Sequence, residues 1–271
     1  METPVVVNLT LRKNQVGAGC SRMSRRDITS FPARCSECNL RRACLPGGME
    51  EREIDCFNRL VHTRHRVERD ESLYRAGDTF KSLYVVRSGF FKTYAIFEDG
   101  REQVTGFQMV GEIIGMDGIE TDTHQLYSVA LEDSEVCVIS FASFEEVASH
   151  ILTLQHQFHK MMSRELTHAR GMMMLLGGMR AEERIAAFLL NLSHRLVIRG
   201  YAATEFNLRM TREEIGSYLG VKLETVSRTL SKFQQQGLIS VQQKYLKIHD
   251  IEGLNRVANS AALPGGVEAV A

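Results

Sequence analysis

The sequence predicts an α+β chain: an N-terminal antiparallel β-roll (a cupin-like jelly roll), a long helix, and a C-terminal winged helix-turn-helix. Three observations predict it. Between about 67 and 141, short runs of β-branched and aromatic residues alternate with glycine turns. From about 143 to 178 the apolar period changes to steps of three and four. From 211 to 248, two short helical patterns around a glycine turn precede an alternating pair of strands. The length of 271 residues suits about two domains at roughly 150 residues each.

In the roll, Leu83-Tyr84-Val85-Val86, Phe90-Phe91-Lys92-Thr93-Tyr94, Val104-Thr105-Gly106-Phe107 and Val136-Cys137-Val138-Ile139 read as strands. Gly77-Asp78, Ser88-Gly89, Asp99-Gly100 and Gly111 punctuate them at hairpin intervals. The helix carries Ile151, Leu154, Phe158, Met162, Leu166, Ala169, Met173 and Leu176 on one stripe and stops at Gly177-Gly178. Its length, roughly 42 Å at 1.5 Å per residue, exceeds what a small roll can cover. The stripe from Leu154 to Leu176 is therefore expected to be a subunit-to-subunit seam. A further helix is expected at about 181–199, with Ile185, Phe188, Leu189 and Leu192 inward.

Thr211-Arg-Glu-Glu214 is a capping box at the start of the next helix. Gly220 ends that helix, and a second runs from about Leu223 to Gln236 with Val226, Leu230 and Phe233 inward. Glu224, Ser227 and Arg228 share its opposite face in the first half. That half is the part a recognition helix inserts into the major groove. Arginine fits the O6/N7 edge of guanine, glutamate accepts from cytosine N4, and serine serves either. These three residues are expected to read DNA. Ile239 to Ile248 alternates as a two-stranded wing.

The formal net charge is +0, which taken alone argues against a nucleic-acid binder. The charge is unevenly spread, however. Residues 1–44 hold eight basic and three acidic side chains, residues 67–140 six and fourteen, and residues 209–250 seven and four. The neutral total hides an acidic middle between two basic ends. No stretch is long and apolar enough to span a membrane, and Met1 to Val7 lacks the basic start of an export signal. A cytoplasmic location is expected, so the cysteines read as metal-binding or redox-active rather than as a disulfide scaffold.

Six cysteines are present: Cys20, Cys35, Cys38, Cys44, Cys56 and Cys137. Cys35-x2-Cys38-x5-Cys44 places three thiols in one loop, flanked by Arg34, Arg41 and Arg42, which favour thiolates. Iron–sulfur, zinc and a thiol switch all fit that spacing. A fourth ligand would come from Cys20, Cys56 or Cys137. The patterns divide the chain into a cysteine loop (1–50), the roll (51–142), the long helix (143–179), the winged helix-turn-helix (180–250) and a tail (251–271).

Cys35-x2-Cys38-x5-Cys44, Leu83-Tyr-Val-Val-Arg-Ser-Gly89, Glu102-Gln-Val-Thr-Gly-Phe107, Ala181-Glu-Glu-Arg184 and Glu224-Thr-Val-Ser-Arg228 together resemble the FNR/ANR branch of the CRP/FNR transcription regulators. The resemblance runs from about 30 to 250. It implies an oxygen-responsive regulator, mainly an activator, of anaerobic and microaerobic genes. It implies one 4Fe-4S cluster per subunit, with Cys137 as the fourth ligand beside Cys35, Cys38 and Cys44. Cys20 and Cys56 match no ligand of the family. The implied partners are a second copy of the chain, a double-stranded palindrome of the TTGAT-N4-ATCAA kind, and RNA polymerase.

Two residues depart from the family. Ala169 stands where the best-known enteric member has an acidic residue, so easier pairing without a cluster is expected. Arg101 replaces an acidic residue in the polymerase-contacting loop near Glu98-Asp99-Gly100-Arg101. The alternatives are a regulator of the same superfamily controlled by a small-molecule effector, or a zinc or thiol redox switch. The stretches Gly111–Met116 and Gln125–Ala130 lack the arginine that a cyclic-nucleotide site needs. An enzyme is not expected, because no P-loop or dinucleotide motif is present. His62-x2-His65 and His156-x2-His159 lack thiol neighbours in the sequence, and the twelve methionines read as helix packing.

Overall fold

The structure is a computed structural model that describes residues 35–38, 40, 44–58 and 61–259. Cys20, Arg34, Arg41 and Arg42 lie outside the described residues.

A short 3-10 turn at Cys35–Glu37 and a helix, α1 (Glu51–Asn58), lead into the roll. Its strands are β1 (Val61–Val67), β2 (Ser72–Tyr74), β3 (Ser82–Ser88), β4 (Phe90–Ile96), β5 (Glu102–Met109), β6 (Ile113–Ile114), β7 (Tyr127–Ala130) and β8 (Ser134–Ser140). They form two four-stranded antiparallel sheets, β1-β8-β3-β6 and β2-β7-β4-β5. Inward residues of both sheets, among them Val67, Val86, Phe91, Ala130 and Val136, fill the roll.

Three helices follow: α2 (Phe141–His150), α3 (Leu152–Gly178) and α4 (Ala181–Ile198). The C-terminal unit continues with β9 (Glu205–Asn207), α5 (Arg212–Leu219), α6 (Leu223–Gln235), β10 (Ile239–Gln242), β11 (Tyr245–Ile248) and α7 (Ile251–Ala258). No helix among the described residues is long and apolar enough to cross a membrane.

Three expectations change. The long helix is not continuous from 143, because Ile151 is extended (φ −116°, ψ 93°) and separates α2 from α3. The bend brings the rings of Phe144 and Phe158 to 4.8 Å. The apolar period runs straight through the bend, so periodicity alone does not reveal it.

Residues 251–258 are helix rather than tail. Asp250 caps α7 by accepting from the Gly253 amide at 2.8 Å, and Leu254 is fully buried against the core that α4 shares. The wing has three strands, in order β10-β11-β9. The third, Glu205–Asn207, is too short for alternation to mark it.

Candidate functional site

Four of the five described thiols, Cys35, Cys38, Cys44 and Cys137, gather at one end of the roll. Cys137 lies on β8 between β1 and β3, opposite Arg64 and Val85. Cys35 is buried, and Cys44 and Cys137 pack on the same apolar cluster, with Leu45, Ile54, Phe57, Leu83 and Ile139. The Cys35 amide donates to Asn58 Oδ1 at 2.7 Å, which ties the cysteine turn to the end of α1.

Cys35, Cys38, Cys44 and Cys137 stand within electrostatic reach of one another. Burial, followed by the neighbouring Cys137 and Cys38 sulfurs, pushes the Cys35 thiol up to about 12. Burial likewise raises Cys44 and Cys137, with Arg87 opposing it at Cys137. Among the described residues no three His, Cys, Asp or Glu side chains converge as ligands of a single ion. Cys56 is exposed on α1.

The expected seam divides. Leu154 and Phe158 are buried within their own chain, in the cluster that holds Cys35. They are corrected from seam to core. The cause is local: the first turns of α3 lie against α2, and Thr153 Oγ1 bonds Glu53 Oε1 of α1 at 2.9 Å. Further along, Met162, Leu166, Met173 and Leu176 are 44%, 57%, 64% and 38% exposed, and Ala169 is exposed between them. That row steps by four, three, four and three, the spacing of a coiled-coil seam.

The helix-turn-helix is built by its capping chemistry. Thr211 Oγ1 accepts from the Glu214 amide at 3.1 Å, and Glu214 accepts from the Thr211 amide at 2.7 Å. Gly220 adopts φ +64°, which an L side chain rarely takes. A Cβ at Gly216 would come within 2.6 Å of the Val221 carbonyl, so the tight turn needs glycine there. Val226, Leu230 and Phe233 of α6 are buried. On its outer face Glu224 and Arg228 are exposed and Ser227 is half-buried.

Arg184 of α4 binds two helix ends together. Its guanidinium donates to the carbonyls of Leu176 and Met179 at the end of α3, and of Leu219 at the end of α5. A cation suits these negative helix termini. The sequence marks Arg184 as a motif residue, but nothing local to the motif assigns it this bonding role.

The C-terminal unit docks on the roll. Ser217 Oγ accepts from the Val104 amide at 2.9 Å and donates to the Glu102 carbonyl at 3.1 Å, covering the edge strand β5. Gln103 donates to the Ser217 carbonyl. Lys92 of β4 pairs with Glu214 at 2.7 Å. Glu112 receives Arg195 and Arg199 of α4, each at 2.6 Å. Burial opposes ionisation of Glu112, but the two guanidiniums outweigh it and hold its carboxyl below the usual range. Phe107, Phe188 and Tyr218 complete a core that spans both units. His168 of α3 contacts the Tyr218 hydroxyl at 3.0 Å. None of these bridges has a local sequence signal.

A roll joined through a long helix to a winged helix-turn-helix, with Glu224 and Arg228 exposed on the second helix of the motif, defines a DNA-binding transcription regulator. Comparison with known proteins agrees. Residues 183–257 match the Crp-like helix-turn-helix domain, and residues 64–150 the cyclic nucleotide-binding domain. The chain is 47% identical over 236 residues to the transcriptional regulatory protein btr of Bordetella pertussis, covering 87% of this chain and 98% of that one. It is 39% identical over 224 residues to the fumarate and nitrate reduction regulatory protein of Escherichia coli, covering 83% and 90%. The solved structure of FixK2 from Bradyrhizobium japonicum superposes with a TM-score of 0.67 at 31% identity, covering 72% of this chain and 96% of that one.

The chain belongs to the CRP/FNR superfamily, as a regulator of the FNR type. It is a regulator and not an enzyme.

Proposed function

We propose that this regulator responds to oxygen through a 4Fe-4S cluster, one per subunit, held by Cys35, Cys38, Cys44 and Cys137, and that it activates anaerobic and microaerobic genes. The observation that carries the reading is the gathering of four thiols from the loop and from β8 within mutual electrostatic reach. Four thiolates are the usual donor set for such a cube. The name of the E. coli relative, a fumarate and nitrate reduction regulator, supports the anaerobic reading.

When bound, the cluster supplies an oxygen-labile tie among the four sulfurs. The chain's own residues turn that tie into a signal. Cys35 and Cys44 share a cluster of side chains with Leu154 and Phe158, so the packing of the cysteine loop and the seating of the start of α3 are one arrangement. Asn58 and Thr153 bond α1 to both. A loop held in place seats α3 for pairing through Met162, Leu166, Ala169, Met173 and Leu176. Pairing presents two copies of Glu224, Ser227 and Arg228 to a palindrome of the TTGAT-N4-ATCAA kind. A coupling of about 1–3 kcal/mol already changes affinity 5–150-fold. The hairpin tip at Phe97–Arg101 is the proposed polymerase contact, with Arg101 paired to Asp99 at 2.7 Å and stacked on Phe97.

The test is the anaerobically purified protein: about four irons per chain are expected, with visible absorption that bleaches in air together with loss of operator binding. A zinc-only protein, or binding indifferent to air, overturns the reading. Arg228→Ala is expected to weaken operator binding by about 1–3 kcal/mol and to relax preference at one base pair. A uniform loss across all sequences would make Arg228 a phosphate contact instead. Leu166→Glu puts a charge in the exposed row and is expected to shift the cluster-loaded protein to monomer in sedimentation. An unchanged dimer would move the seam elsewhere.

A further inference from the structure

The thiol end of the roll carries a feature that the four ligands leave unexplained. Two arginines, Arg64 on β1 and Arg87 on β3, flank Cys137 on the strand between them. Arg64 lies directly across from Cys137 in the β1–β8 register. Arg87 sits where the β3–β8 register slips between Val86 and Ser88, a bulge of the kind that re-aims a side chain. Both guanidiniums are within electrostatic reach of Cys35 and Cys137.

One carboxylate, Glu135, stands between them: Arg87 meets it at 3.1 Å and Arg64 at only 4.0 Å. The buried Arg64 Nε donates no hydrogen bond at all. Leaving a buried charged donor unbonded is costly, so this arrangement calls for a compensating negative partner. Four thiolates around a cube make an anionic assembly, and one carboxylate against two guanidiniums leaves one positive charge free to face it.

We propose that Arg64 and Arg87 are positioning residues that balance the charge of the thiolate-bound cluster and set its resistance to oxidation, with Glu135 limiting their effect. The inference rests on the cluster reading above. Its physical basis is general: net charge and hydrogen bonding around the sulfurs set the potential of such a group. Cations disfavour the more positive, oxidised state. Removing one lowers the potential and speeds loss in air, while removing the Glu135 charge does the reverse.

The experiment uses full-length chains reconstituted without oxygen: wild type, Arg64→Gln, Arg87→Gln, Arg64→Lys and Glu135→Gln. Iron content, reduction potential and the rate of bleaching in air-saturated buffer are read. The glutamine variants are expected to bleach about 10-fold faster at lower potential, the usual scale for a residue next to the ligands. Arg64→Lys should stay near wild type, and Glu135→Gln should bleach more slowly. A glutamine variant that takes up no iron while Arg64→Lys does would also support the charge role. Glutamine variants that load normally with wild-type potential and bleaching overturn it. So does a lysine variant that behaves like glutamine, or a Glu135→Gln that bleaches faster. A wild type that binds no iron removes the cluster reading itself, a different result from any of these.

Discussion

Cys137→Ser is expected to abolish cluster uptake, while Cys56→Ser leaves it intact. A serine hydroxyl replaces one atom on β8, within the sheet between β1 and β3, so the strand can keep its pairing. The donor changes from a soft thiolate to a hard oxygen that does not ionise near neutral pH. The three thiols of the loop then lack the fourth thiolate proposed on β8. Cys56 projects from the exposed side of α1, and its replacement removes no donor from the set. Iron per chain and anaerobic visible absorption are the measurements, with thermal melting of the metal-free proteins as the control for folding. Wild-type iron in Cys137→Ser would exclude it as the fourth ligand. Loss in Cys56→Ser would bring that thiol into the set.

Glu112→Ala should cost about 3 kcal/mol of stability, the scale for breaking a buried ion pair from one side. Arg195 and Arg199 are 17% and 9% exposed, and both depend on this one carboxylate. Alanine leaves two like charges facing each other at the junction of roll and α4. Each still donates to a carbonyl, Arg195 to Phe107 and Arg199 to Val110, which keeps the cost from being larger. Glu112 also accepts the Met109 amide at 3.0 Å, so the turn into β6 loosens as well. Urea unfolding of wild type and variant measures the difference. A change below about 0.5 kcal/mol, typical of surface sites, would show that the junction is solvated in solution. A double-mutant cycle with Arg195→Ala separates the pair energy from the turn.

Much of the fold is legible in the sequence because it rests on local rules. The capping box at Thr211 and Glu214 and the glycine stop at Gly220 lie within a few residues of what they control. The four strands rich in β-branched residues fall within β3, β4, β5 and β8. What the sequence hides is what depends on partners far along the chain. Leu154 and Leu166 look alike on a helical stripe, yet the first is buried and the second 57% exposed. Their difference is made by α1, α2 and the cysteine loop, which periodicity does not see.

The candidate site divides the same way. The C-x2-C-x5-C spacing is visible, but the gathering of Cys137 beside it depends on strand pairing. Arg64 and Arg87 are ordinary basic residues until β1, β8 and β3 are laid side by side. Glu112 and its two arginines are separated by more than 80 positions, and no short motif joins them.

The apolar core shared by the two units has a thermodynamic consequence. Phe107 and Val104 of the roll pack in one cluster with Phe188, Tyr218 and the helix-turn-helix interior. Neither unit closes its own interior on that side. Undocking would bare aromatic surface on both, so the state seen here couples the cohesion of the roll to that of the winged helix-turn-helix. The two behave as one cooperative block rather than as beads on a linker.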